Sequence, residues 1–246
     1  LLCFVMPVTT YALKNNTLDS LLGLVSLLGV YAAWLGRQNS KMNVLVGIAC
    51  LAGFLIKGPV ALFVLAAPGC FALIIDGSLR SAIKNSLLAG GVFSALLFVL
   101  VLVEPAGVFF QRYYQSQILA SLSGVRNIEH GRWYQLGQMS MNLSVAGIVA
   151  VAGWALQRSL HVSREFWSFI LLGVCATLPL LISPRQYKHY LLPGLPYFAI
   201  GIALLVAPKS PNWRVIVIWL LVGVVGLAGV ARATYYWGEP GNDEAE

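Results

Sequence analysis

Charge is what this chain has least of. Only 10% of its 246 residues are Asp, Glu, Lys or Arg, and just nine are acidic. An average soluble domain carries about 25% charged residues, so a water-facing surface of ordinary composition is excluded. Histidine is scarce too, with three residues. The four cysteines, Cys3, Cys50, Cys70 and Cys175, fall in separate apolar blocks without paired spacing. They read as small buried hydrophobes and form neither a disulfide framework nor a cysteine metal site. A glycine-rich phosphate loop is also missing, which argues against a nucleotide-dependent soluble catalytic domain. The formal net charge is +7, but the basic residues are scattered, so nucleic acid is not an expected partner.

The chain has apolar residues in abundance: 59% of the total, with a mean hydropathy of +0.79. They come in blocks at 1–13, 18–36, 43–56, 60–75, 86–103, 141–157, 166–183, 190–207 and 214–234. A hydrocarbon core of about 30 Å takes roughly 20 helical residues to cross, and backbone groups in lipid must be satisfied within helices or closed barrels. Barrel strands would alternate over about 10 residues, whereas these blocks are continuous. The expected fold class is therefore all-α, a polytopic membrane protein with eight to nine transmembrane helices. Residues 1–236 form its membrane domain and 237–246 a polar, acidic tail. Because the chain opens on Leu1 with a short apolar block and no basic leader, further residues are expected upstream.

Four short loops carry two basic residues each: Arg37 and Lys41, Arg80 and Lys84, Arg158 and Arg164, Lys209 and Arg214. They alternate along the chain and hold eight basic against two acidic residues, Asp76 and Glu165. The positive-inside rule assigns them to the cytoplasm. The opposite, outer face then receives Asp19, the Lys57-Gly58-Pro59 turn, the long segment 104–140, and the cluster Arg185, Lys188, His189 and Tyr190.

Lys57 stands out within this pattern, in Phe54-Leu-Ile-Lys57-Gly58-Pro59-Val-Ala-Leu-Phe63, with no carboxylate between Met42 and Ile75. A cation within an apolar span costs a few kcal/mol and is a functional hypothesis in search of a partner. Gly58 and Pro59 break the helix beside it, which predicts a hairpin turn between two short legs. Two readings stand: the ammonium snorkels to the interface, or it holds an anion supplied from outside the protein.

Asp19 opens an apolar helix, where a carboxylate also suits the helix dipole. Arg185 and Lys188 suit phosphate oxygens, one as a fork and one as a point charge. An aromatic belt at the interface would account equally for the tyrosines around them. Within 104–140, Phe109 to Tyr114 reads as a helix lying on the membrane surface. Glu129 and His130 are adjacent there and are candidates for a divalent metal or a phosphate group, although a solvated loop explains them as well.

These clusters, in this order, resemble the polyprenyl-phosphate-sugar-dependent membrane glycosyltransferases of GT-C type, the group of the protein O-mannosyltransferases and lipid A aminoarabinose transferases. The likeness runs through Thr17-Leu18-Asp19-Ser20-Leu21, Leu55-Ile56-Lys57-Gly58-Pro59 and His130-Gly131-Arg132-Trp133-Tyr134. It ends in Arg185, Lys188, His189, Tyr190, Leu191, Leu192, Pro193 and Pro196. The resemblance implies a bacterial inner-membrane enzyme working at the periplasmic face. It would move a sugar from a polyprenyl-phosphate donor to a hydroxyl of a lipid, glycan or protein acceptor. Lys57, Arg185 and Lys188 would hold the donor phosphate, and Asp19 would assist a main carboxylate base upstream of Leu1. Glu129, His130, Arg132, His189 and Tyr190 would be substrate or metal contacts, with a divalent metal left open as cofactor. The competing class is a transporter or flippase for an anionic lipid-linked substrate, binding it at Lys57 and at the helix broken by Pro193 and Pro196.

Overall fold

A computed structural model describes residues 18–119, 134–157, 162–182 and 188–206. The expected first and last apolar segments, the tail 237–246, and Arg185, Glu129, His130 and Arg132 lie outside the described residues. Within them the chain is helical and contains no strand. Three stretches are long and apolar enough to cross a membrane: Leu18–Gly36, Ser40–Ile74 and Leu79–Leu102.

Helix α1 spans Leu18–Gly36, and α2 spans Asn43–Lys57 after a 3-10 turn at Ser40–Met42. Asn39 caps that turn, its side chain accepting from the Lys41 N–H. The second apolar stretch is not one rod, because the chain reverses at Gly58. Ala61 packs over Gly53, 2.9 Å from where a side chain would begin, and the Cys50 thiol donates to the Ala61 carbonyl at 3.7 Å. Residues 58–65 therefore run back along α2, the hairpin that the Gly-Pro pair predicts.

The returning leg differs from the expectation of a short α-helix. Gly58–Leu65 is 3-10 helix and only Ala66–Ile74, α3, is α-helix. A 3-10 helix rises about 2.0 Å per residue against 1.5 Å, so this leg reaches about 29 Å where an α-helix of equal residue count would reach about 25 Å. With its 3-10 lead-in, α2 spans about 28 Å by the same arithmetic, matching the 19 residues of α1. The three legs are thus of nearly equal length, and the Lys57 turn is level with the start of α1 instead of sunk between short helices.

Helix α4 covers Leu79–Leu102 and starts seven residues before its apolar block. Ser78 caps it, its hydroxyl accepting from the Ser81 N–H at 3.2 Å, so the polar turn Arg80 to Asn85 is already helical. Helix α5, Glu104–Tyr113, has Pro105 in its first turn and exposes Val108 and Phe109, as a surface-lying helix should. A π-helical stretch, Tyr114–Leu119, follows it. Beyond the undescribed segment come α6, Tyr134–Gln157, and α7, Arg164–Ile182. A 3-10 segment at Lys188–Leu191 then leads to α8, Leu195–Val206. Pro196 falls in the first turn of α8, where its missing N–H leaves no gap in the helix bonding.

The core joins α1, α2, the 58–65 leg, α3, α4, α7 and α8 through Val30, Val46, Val64, Phe71, Ala89, Leu172 and Tyr197. Trp34, Phe71 and Phe169 form an aromatic triangle with ring centroids 5.3 to 6.1 Å apart. One end of the bundle gathers the loops after α1 and α3 with the start of α7. There Arg37 grips Asp76 at 2.7 Å and Arg164 donates to the Ile75 carbonyl at 3.1 Å. The turn at Lys57 lies at the other end.

Candidate functional site: an ion pair at the end of the bundle

Helix ends determine which charges meet at the Lys57 end. Asp19 stands in the first turn of α1, where exposed backbone N–H groups favour an anion, and Lys57 is the last residue of α2, where carbonyls favour a cation. Because α1 and α2 run antiparallel, the two ends coincide. The Lys57 ammonium donates to Asp19 Oδ1 in an ion pair. The Asp19 side chain is 4% exposed and that of Lys57 21%, so the carboxylate is enclosed while the ammonium keeps a window.

This pair corrects one expectation. The counter-charge of Lys57 was sought outside the protein because no carboxylate lies near it in sequence; Asp19 supplies it from 38 positions away. A snorkelling lysine, extended to headgroup water, is a different arrangement from this enclosed one.

A third element completes the surroundings. The ring of Tyr190, carried by the Lys188–Leu191 segment, faces the ammonium with 4.1 Å from Nζ to its centroid. That is cation–π geometry. Lys188 and His189 belong to the same short segment, two and one residues before the ring, which brings this part of the expected phosphate cluster to the Lys57 end. An ammonium has three N–H donors. Among the described residues Asp19 accepts from one of them and the Tyr190 face meets the ammonium, whose partly exposed side is open to a further acceptor.

Tyr113, which sequence reasoning did not single out, also reaches this place: its phenol packs against Gly58, the residue after Lys57. Its position in an aromatic-rich surface helix was the available signal, but nothing in the sequence tied it to the turn.

Among the described residues no group of three or more His, Cys, Asp or Glu side chains could hold a metal ion. Cys50, Cys70 and Cys175 are free thiols. A cavity of about 490 Å³ lies apart from the ion pair, lined by Leu27, Trp34, Phe169, Tyr197 and Leu204 among others, with Glu165 as its charged lining residue. No family model, curated protein or solved structure matches the chain.

Proposed function

We propose that the chain is the membrane domain of a glycosyltransferase that takes a sugar from a polyprenyl-phosphate donor at the periplasmic face of a bacterial inner membrane. The observation that carries this reading is the Lys57 side chain, paired with Asp19, faced by Tyr190 and still partly exposed at one end of an apolar bundle, where an anion can reach it. Such an anion must itself sit at the membrane boundary, which is where the phosphate of a lipid-linked sugar lies.

The reaction asks little else of this end of the bundle. An acceptor hydroxyl attacks the anomeric carbon from the face opposite the phosphate, the new C–O bond forming as the carbon–phosphate oxygen bond breaks. The electron pair leaves with the polyprenyl phosphate, and the anomeric centre inverts. Negative charge grows on the leaving phosphate, so a preorganised cation lowers the barrier. Lys57 fills that role, with Arg185 and Lys188 as further cations. The hydroxyl proton goes to a carboxylate base.

Pairing changes the part assigned to Asp19. With its carboxylate engaged by the Lys57 ammonium, Asp19 holds Lys57 in place, and the base is a different carboxylate. Glu129, His130 and Arg132 are left as acceptor or metal contacts.

The test is transfer from a polyprenyl-phosphate sugar by the intact protein in membrane vesicles. Lys57→Ala abolishes transfer while the protein still inserts. Normal turnover by this variant would sink the proposal, and transbilayer movement of the lipid donor without transfer would favour the flippase class.

A further inference from the structure

The backbone at Gly58 places two independent demands on the turn beside Lys57. Its φ of +75° with ψ of −146° lies where only glycine is at ease. A side chain there would also run into Tyr113, whose ring carbons Cζ and Cε1 lie 3.0 and 3.4 Å from the position a Cβ would take, with the hydroxyl nearer still. The phenol thus occupies the space that glycine leaves empty.

Tyr113 is the last residue of α5, and α5 is fastened over this end of the bundle. Phe110 meets Phe54 of α2 with centroids 6.3 Å apart, and Phe54 meets Phe93 of α4 at 5.8 Å. Phe109 stacks on Tyr113 at 6.3 Å. The outer side of α5 is exposed and apolar at Val108 and Phe109. The helix therefore grips the bundle by one side and offers the other to the membrane surface.

We infer that Tyr113 is a positioning residue for Lys57: its phenol roofs the Gly58 turn, fixes the direction in which α2 delivers its last side chain, and makes α5 the cover of the anion site. The functional consequence rests on the reading of Lys57 as the cation for the donor phosphate; the placement of the turn does not. The chemistry is steric and local. With the roof in place the Lys57–Asp19 pair is shielded except at its window. With the roof removed, the turn relaxes and water reaches the ammonium.

Two readouts test this on the intact protein in membrane vesicles. The first is acylation of Lys57 by a small water-soluble amine-reactive ester added to vesicles permeabilised so that both faces are reached, quantified by mass spectrometry against exposed Lys41. Tyr113→Ala raises the Lys57 to Lys41 ratio several-fold, and Tyr113→Phe, which keeps the ring, stays near wild type. The second is steady-state transfer, where Tyr113→Ala raises KM for the polyprenyl-phosphate sugar by roughly tenfold, in line with the cost of a small misplacement, and Tyr113→Phe restores most of it. Should the alanine variant fail to insert, Tyr113→Leu keeps apolar bulk without reaching Gly58 and carries the same expectation. An unchanged labelling ratio in both variants overturns the inference. Raised labelling with no turnover and no protection of Lys57 by polyprenyl phosphate upholds the positioning role and removes the phosphate reading.

Discussion

Asp19 and Lys57, 38 residues apart, form an ion pair at one end of the bundle, and Arg37 and Asp76, 39 apart, form another at the opposite end. The two pairs differ in burial and so in what they do. Arg37 and Asp76 keep 22% and 32% exposure, where an ion pair contributes little. Asp19 at 4% has no such solvent to fall back on. The Asp19–Lys57 pair is enclosed at the helix ends, whereas the other is a clasp between loops.

The first prediction follows from that enclosure. Removing one partner of a buried pair leaves the other uncompensated, at a cost of about 3–5 kcal/mol. Asp19→Ala and Lys57→Ala should each lower the thermal midpoint in detergent, because each leaves a sheltered charge without its opposite charge. The double variant should recover part of the loss, since both charges are then gone. A double variant whose loss equals the sum of the single ones shows the residues to be uncoupled.

At the clasp, Arg37 donates to Asp76 through Nε at 3.1 Å and Nη2 at 2.7 Å and lies 4.6 Å over the Trp34 ring. A planar fork on a carboxylate, stacked on an indole, is a task a lysine cannot reproduce. Arg37→Lys should cost about 1 kcal/mol, the sum of a modest exposed pair and a modest stacking contact. The loss should shrink at high salt, because only the ionic part is screened. A salt-independent loss would put the contribution in the stacking alone.

The aromatic triangle predicts a contrast between two neighbouring faces. Phe71 is fully buried against Trp34 and Phe169, whereas Leu28 of α1 is 58% exposed. Phe71→Ala should destabilise by about 3–5 kcal/mol through cavity formation. Leu28→Ala should stay within about 0.5 kcal/mol, the range for exposed positions. Thermal denaturation of the two variants in one detergent checks the difference, and equal losses would mean that the face bearing Leu28 is packed against something.

The fold was legible where the apolar pattern is strongest. The blocks 18–36 and 43–56 name α1 and α2 almost to the residue, and Gly58-Pro59 names the reversal. The 3-10 leg was not legible, because hydrophobic periodicity is weak over eight uniformly apolar residues, and the longer rise that levels the three legs could not be read either. The start of α4 was missed because polar residues are as helical as apolar ones once Ser78 caps the chain. At the site, the residues Asp19, Lys57 and Tyr190 were in hand but their pairing was not. Register arithmetic could have supplied it: two antiparallel helices of similar length joined by a six-residue turn bring the first residues of one beside the last of the other. Tyr113 was out of reach, since its approach depends on the path of a surface helix that no local pattern encodes.

Tyr190 gives the sharpest separation between charge and shape. The centroid of its ring lies 4.1 Å from the Lys57 nitrogen, so the π-face is what meets the ammonium. Tyr190→Phe should keep the quadrupole and leave stability within about 0.5 kcal/mol of wild type, whereas Tyr190→Leu keeps apolar bulk, loses the π-face and should cost about 1–2 kcal/mol at this sheltered position. In transfer assays the phenylalanine variant should also retain most activity and the leucine variant lose it in proportion to its hold on Lys57. If the phenylalanine variant is as impaired as leucine, the hydroxyl is the functional group, and Tyr190 then acts on substrate by hydrogen bonding and not through the ammonium.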